Sequence, residues 1–492
     1  MLQPEQRIFN MHAVTSVRTR RRSTWRRAFL PALLAVSLTG CGALQRTEYE
    51  RPAVVMPAAW QGATVDRSVA PTHDAWWKHF QDPALDALVS EVLRTNNDLA
   101  AAALRVRRAQ LQAGLARTAM RPTLSGSSSA RGERDLRDSE NRSDSFSATL
   151  SVGYEVDLWG KLARQRDEAD WEAAATEEDR RAAALALIGT TLNLYWEAAF
   201  LNQQIATAEK SIDYAARTLE LVRAQYEAGA VSRLELAEAE RNLANQQAAI
   251  TQLYQQRAET LNALSILLDG PPSNHVPVPP LLPDTPLPEV RPGVPAELLG
   301  RRPDLRAAEL RLRSSLAHTD VVRTSYYPTL SLTGSLSSAS SALIHVLQNP
   351  IAALGAGITL PFLQWREMQQ NIAVSQVDYE AAVVQFRQAL YDALAEVENA
   401  LSLRQNLAAE ARLRQEALDA ATEAERLYEV RYRAGAVPLR AWLDAQEARR
   451  QAELAVARNR LQRYQAQVLL YQALGGDDAP AATGSPEAVV TP

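Results

Sequence analysis

The chain has 492 residues, long for a single hydrophobic core. Its 20 Gly and 25 Pro exclude collagen-like and low-complexity classes, and a hydrophobic content of 46% excludes wholesale disorder. Aromatics are only 6%, and the abundance of Ala, Leu, Gln, Glu and Arg is the composition of long helices. The formal net charge is −4, but residues 1–40 hold seven Arg and one Glu, so the remainder carries 46 basic against 56 acidic residues. A mildly acidic body argues against a nucleic-acid partner. One cysteine, Cys41, excludes a disulfide framework and a Cys-rich zinc site.

Residues 1–40 read as a leader. Arg18 to Arg27 is a basic region, and Ala28–Leu38 is an apolar run too short to span a bilayer but suited to a signal-peptide core. It ends in Leu38-Thr39-Gly40-Cys41, which resembles the bacterial lipobox. That resemblance implies cleavage before Cys41 and a covalent lipid, N-acyl and S-diacylglycerol, on it. Gly42 rather than Asp follows, which in such lipoproteins implies the outer membrane. The bland alternative is a structural thiol near a frayed terminus. No later stretch offers 18 consecutive apolar residues, so further membrane contact is peripheral or a β-barrel.

The body is an internal repeat at one offset of 206 residues. Asp98-Leu99 falls on Asp304-Leu305, Pro122-Thr123-Leu124-Ser125 on Pro328-Thr329-Leu330-Ser331, Trp159 on Trp365, and the Tyr226 to Val231 block on Tyr432 to Val437. In chain order the segments are an N-terminal segment over 41–83 behind the lipid anchor, a first unit over 84–269, a Pro-rich connector over 270–302, a second unit over 303–476 and a disordered tail over 477–492. Each unit predicts a helix (84–119, 303–325), a Pro that starts a strand, a second strand beyond a polar loop, a very long helix (161–228, 366–434) and a return helix (232–268, 438–474). At 1.5 Å per residue the long helices reach roughly 100 Å and need lateral partners.

Strand periodicity is strong. Phe146, Ala148, Leu150, Val152, Tyr154, Val156 and Leu158 alternate with polar residues or Gly, and so do Leu330, Leu332 and Leu336; Leu354, Ala356, Ile358, Leu360 and Phe362 alternate with Gly355, Gly357, Thr359 and Pro361. An ordinary half-buried sheet would read alike, but the length and the apolar-out, polar-in pattern suit lipid-facing barrel strands. Trp159, Trp365, Tyr326 and Tyr327 stand at strand–helix junctions, where an interfacial aromatic girdle is expected; single-residue core packing is the alternative. Four strands are too few to close a barrel, so closure requires several chains.

Chemistry is scarce. His73, His79, His275, His318 and His345 are scattered and His12 lies in the leader, so no catalytic set and no metal site is expected. Gly229 and Gly435 are expected at positive φ in tight hairpin turns.

Taken together, Leu38 to Cys41, Trp76-Trp77 with Phe80-Gln81-Asp82-Pro83, Leu298 to Leu305, Pro328 to Gly334 and Tyr432 to Gln446 resemble the outer membrane factor family, the TolC-like export ducts. The likeness is greatest to its lipoprotein branch, the NodT type of RND efflux systems, and runs from about residue 38 to 476. It implies a mainly α chain with membrane β: four transmembrane strands and long antiparallel helices. In a homotrimer these form a twelve-stranded barrel in the outer membrane, continued by an α-helical barrel into the periplasm. It also implies a passive exit duct, without cofactor or enzymatic activity, meeting a periplasmic adaptor and an inner-membrane RND-type transporter. The same likeness carries a periplasmic gate onto Asp444, with Glu238 as its repeat equivalent, and a hairpin tie onto Tyr432. Arg440 departs from the family pattern; it either pairs with Asp444 or points to solvent. A lipid-anchored periplasmic coiled-coil scaffold or adaptor is the alternative.

Overall fold

The computed structural model describes residues 46–61, 75–134, 142–272, 276–290 and 292–476. Cys41, the leader, most of the β1–β2 loop and the tail after 476 lie outside the described residues. In chain order come α1 (Pro83–Thr95), α2 (Asn97–Thr118), β1 (Thr123–Arg134), β2 (Arg142–Val156), α3 (Lys161–Glu227) and α4 (Arg233–Leu267). After the connector follow α5 (Leu298–Arg301), α6 (Pro303–Ser325), β3 (Thr329–Ser340), β4 (Ile351–Thr359), α7 (Trp365–Arg433) and α8 (Leu439–Ala473). The duplication is visible in the bounds: moved by 206, β1 becomes β3 (Thr123 to Thr329) and α4 becomes α8 (Arg233 to Leu439).

Two expectations are corrected. The helix expected over 84–119 is two helices, because Asn96 ends one and starts the next. Its N–H bonds Val92 O, its Oδ1 accepts from the Asp98 and Leu99 N–H groups, and its Nδ2 donates to Leu267 O. The repeat equivalent, Arg302, breaks the chain at the same place between α5 and α6. The strand alternation read through Leu158 and Phe362 also overshoots. β2 stops at Val156, and residues Pro361–Leu363 form a 3-10 turn.

Compact units cut across the repeats. One holds Leu124–Lys161 and Tyr327–Pro361, the strands; the other holds Thr47–Thr123, Leu162–Tyr326 and the chain from Phe362, the helices. The strand unit is one sheet in the order β1-β2-β3-β4. β2 and β3 pair antiparallel from Phe146↔Ser340 to Val156↔Leu330, and β3 and β4 from Thr329↔Thr359 to Ser337↔Ile351. This register puts Leu150, Val152, Leu332, Leu336, Leu354 and Ile358 on one face and Ser and Thr on the other, where Ser129 and Ser147 hydroxyls lie 2.8 Å apart. The apolar face is bare: Leu354 is 94% exposed. Both edge strands, β1 and β4, are exposed along their whole length.

In the helical unit the largest cluster joins Trp76, Trp77, Leu85, Val89, Tyr195, Trp196, Leu264, Tyr464 and Tyr471. Burying a side chain such as Leu85 contributes about 1.5–3 kcal/mol. The most apolar stretch of α3 lies here, 56% of it buried within protein. The connector passes over these helices and its carbonyls are met one by one: Asn202 donates to Pro279 O, Tyr464 to Pro283 O, Gln467 to Pro288 O and Trp60 to Pro292 O. A proline-rich segment lacks N–H groups for a ladder, so side-chain donors hold it in place. Arg302, 9% exposed, bonds Asp304, Glu396 and Ala473 O, tying the connector's end to α7 and α8.

Both hairpins turn the same way. Ala230 N bonds Gln225 O and Gly229 N bonds Tyr226 O; Ala436 N bonds Arg431 O and Gly435 N bonds Tyr432 O, the paired closure of a Schellman motif. Gly229 has φ 73° and Gly435 φ 70°, and a Cβ on either would meet nothing within 4 Å, so backbone conformation alone demands glycine. Gly229→Ala and Gly435→Ala should each cost about 1–2 kcal/mol, the strain of a left-handed L-residue. Thermal unfolding of the detergent-extracted protein, followed by circular dichroism, checks this, and an unshifted transition would contradict it.

Candidate functional site

The hairpin tips form the first group. One turn before Gly435, Tyr432 is buried; its hydroxyl donates to Gln225 Oε1 of α3 at 2.8 Å, and its ring stacks on Trp442 at 5.2 Å and 24°. Tyr214 meets Trp442 edge-on at 6.1 Å, and Val222, Leu236 and Leu439 complete the cluster. The cluster therefore fastens the α3–α4 hairpin to the α7–α8 hairpin of the same chain. Burial, then the Glu235 charge, pushes the Tyr432 hydroxyl above the ordinary phenol value, so it stays a neutral donor. Trp442, Gln225 and Tyr214 were missed by sequence reasoning. The signal available was the repeat, since Trp442 falls on Leu236, which is buried in the same cluster.

Asp444 lies one turn beyond Arg440 on the first turns of α8. Their closest atoms, Arg440 Nε and Asp444 Oδ2, are 3.8 Å apart, and both side chains are over two-thirds exposed. The two readings of Arg440 thus coexist: it approaches Asp444 and faces solvent. At this exposure the pair contributes little within one chain.

The expected interfacial aromatics divide. In the strand unit Trp159 donates its indole N–H to Pro328 O at 2.7 Å and meets Tyr327 edge-on at 5.3 Å, at the base of the sheet. In the helical unit Trp365 begins α7 and is 58% exposed. Tyr326 departs from the expectation: it is buried, and its hydroxyl accepts from Asn371 Nδ2 at 2.6 Å, so it packs among helices. Of the histidines, His79 Nδ1 lies 3.0 Å from the Tyr471 hydroxyl and His318 Nδ1 3.0 Å from Glu168.

A third feature is a strap the sequence did not reveal. Residues 46–61 run along α6: Thr47 donates through its N–H and hydroxyl to the Asp320 carboxylate at 2.9 and 2.6 Å, and Arg51 Nη2 donates to Glu309 at 2.7 Å. Further on, Val54, Met56 and Trp60 pack on Leu298, Leu305 and Leu390. The Arg313 guanidinium sits 4.6 Å over the Tyr49 ring. Burial, aided by Glu309, pushes the Tyr49 hydroxyl up to about 12. Burial alone would raise the Glu309 carboxyl, but hydrogen bonds from Arg51 and Arg313 outweigh it and hold it below the usual range.

The strap's ion pair is therefore complete above the ordinary carboxylate value of about 4.3 and is lost as pH falls through the lower folded value. Protection of the residue 46–51 amides, taken relative to intrinsic exchange at each pH, should hold down to that ordinary value and fall only below it. At pH 7, Glu309→Gln should speed trypsin cleavage after Arg46, at the start of the strap. Equal cleavage of variant and wild type would contradict the strap.

The model of the outer membrane efflux protein family matches residues 88–270 and 294–476, and its second match begins 206 residues after its first. Among curated relatives, the pyoverdine export outer membrane protein OpmQ of Pseudomonas putida is 34% identical over 86% of this chain and 92% of its own. The probable efflux pump outer membrane protein TtgC of the same organism is 27% identical over 90% and 94%. Among solved structures, the outer-membrane channel OprN superposes with a TM-score of 0.78 at 26% identity, covering 88% of this chain and 98% of its own. The open-state MtrE channel of Neisseria gonorrhoeae gives 0.77 at 27%, over 88% and 98%.

Proposed function

The chain belongs to the outer membrane efflux protein family, and on that premise we propose that it works as a lipid-anchored homotrimer, gated at its hairpin tips. The family is one of exit ducts of tripartite pumps and not of enzymes, so the work of this chain is to enclose a path from the inner-membrane transporter and periplasmic adaptor to the outside. The observation that carries the proposal is the sheet whose outer strands, β1 and β4, are flanked by no further strand among the described residues and whose apolar face is largely exposed. Such edges are not tolerable in hydrocarbon unless copies pair β1 with β4 and close a barrel, and such a face belongs against lipid rather than water. Three copies supply twelve strands, within the known range of such barrels.

The helices support the same association. Leu104, Leu111 and Leu115 on α2, which leads into β1, and Val374, Val377 and Val384 on α7, which follows β4, are exposed at helical spacing. Each suits the flank of a neighbouring copy. Lipidation of Cys41 is supported by the strap, which fixes Thr47 five residues from the end of α6, the helix leading into β3. The six residues back to Cys41 can reach about 20 Å.

At the tips, three Asp444 carboxylates around one axis repel one another and attract cations, and each Arg440 relieves its own Asp444. The Tyr432–Gln225 bond and the Trp442 stack hold the hairpins of each chain in the resting state. A periplasmic adaptor engages the tips and an RND-type transporter supplies the energy; opening is a hinge-like parting of the hairpins. No cofactor takes part beyond the lipid on Cys41. The duct carries what the pump delivers, drugs among them.

Single-channel recording in planar bilayers tests the gate. Arg440→Ala, which leaves the carboxylates unrelieved, and Tyr432→Phe, which removes a bond of about 1 kcal/mol, should each raise resting conductance, and Asp444→Asn should lower the pore's preference for cations. Unchanged conductance and unchanged ion preference in all three sinks the gate assignment. Absence of any pore from the wild type would favour the lipid-anchored periplasmic scaffold or adaptor instead.

A further inference from the structure

The two loops at the far end of the sheet are chemically opposite. The β1–β2 loop is flanked by Arg131, Glu133 and Arg134 on one side and Arg142 and Asp144 on the other. The β3–β4 loop, residues 341–350, contains no Asp, Glu, Lys or Arg and carries Leu343, Ile344, Val346 and Leu347. It is an ordered turn: Ala342 N bonds Ser340 Oγ, His345 N bonds Ala342 O, Val346 N bonds Leu343 O and Gln348 N bonds His345 O. Yet Ile344 is 82% and Leu347 76% exposed, more than isolated apolar side chains on a water-facing loop require.

The side on which this loop lies decides its use. A groove on the sheet is bordered by the cross-strand pairs Leu150–Leu336 and Ala148–Ser338, with the intervening Thr149–Ser337 pair between them. Side chains of the two bordering pairs point to the same face, the apolar one, so the groove opens there. Leu347 and Pro350 of the loop line that groove, and Ser338 beneath is only 6% exposed. The loop thus folds back against the apolar face and away from the Ser- and Thr-lined face.

We propose that residues 343–347 of each chain are a membrane anchor, with Leu343, Ile344 and Leu347 inserted among the acyl chains of the outer leaflet. The proposal rests on the outer-membrane duct reading and goes beyond it. The lipid is the committed occupant because the loop continues the apolar face that the barrel turns to lipid, and because residues 341–350 hold no Asp, Glu, Lys or Arg to oppose insertion. A lid over the pore mouth would need these side chains on the opposite, polar side.

Ile344→Cys and Leu347→Cys, made separately and labelled with the fluorophore NBD, test this in proteoliposomes. Wild type labelled in parallel measures the Cys41 background, and chain mass in detergent checks assembly. Insertion predicts blue-shifted emission, quenching by lipids with a nitroxide on the acyl chain, and indifference to aqueous iodide. Iodide quenching without nitroxide quenching overturns the proposal, as does oxidative cross-linking of Ile344→Cys between chains, which would place the loops together over the pore. Labelled Leu354→Cys, on the middle of β4, keeps the two readings apart. If Leu354 senses lipid and neither loop position does, the anchor alone falls; if none does, the barrel falls with it.

Discussion

In hydrocarbon every backbone N–H and C=O must be paired, and the rest of this structure depends on that demand. One repeat supplies two strands, which cannot satisfy it. Duplication supplies four in a single sheet, β1-β2-β3-β4, and still leaves two edges. Among the described residues no further strand pairs those edges, and only the β3–β4 loop folds back on the face bearing Leu150, Leu336, Leu354 and Ile358. A water-soluble protein with this sheet would aggregate. The same features become useful once copies meet edge to edge and lipid meets the face.

The helices answer a different problem. At 67 and 69 residues, α3 and α7 are too long to stand on propensity and need lateral packing along their length. Three devices supply it: the aromatic cluster around Trp196 and Tyr464, the Tyr432–Trp442 cluster at the tips, and the connector held through its carbonyls. Arg302 joins the last of these to α7 and α8 through Glu396 and Ala473 O. Its motif, Arg301-Arg302-Pro303-Asp304, is thus a structural clasp, with burial of the guanidinium outweighed by its Asp304 and Glu396 partners.

Much of this was legible in the sequence because periodicity and duplication survive in single residues. The offset linking Tyr226–Val231 to Tyr432–Val437 located both tips, and alternation from Phe146 located β2. What escaped was set by contacts distant in sequence. Asn96 divides a helix because its side chain finds Asp98, Leu99 and Leu267 together. The strap over residues 46–61 has no periodicity; it is ordered by Asp320 and Glu309, more than 250 positions away. Tyr326 and Tyr327 are neighbours in sequence, yet one packs among helices and the other against Trp159 in the strand unit.

The central claim is that β1 and β4 are paired between chains. Hydrogen exchange of the detergent-extracted protein, read by mass spectrometry beside its native mass, tests this most directly. The account predicts three chains, with amides of Thr123–Arg134 and Ile351–Thr359 protected as well as those of the interior strands. A single chain whose β1 and β4 amides exchange freely would contradict it.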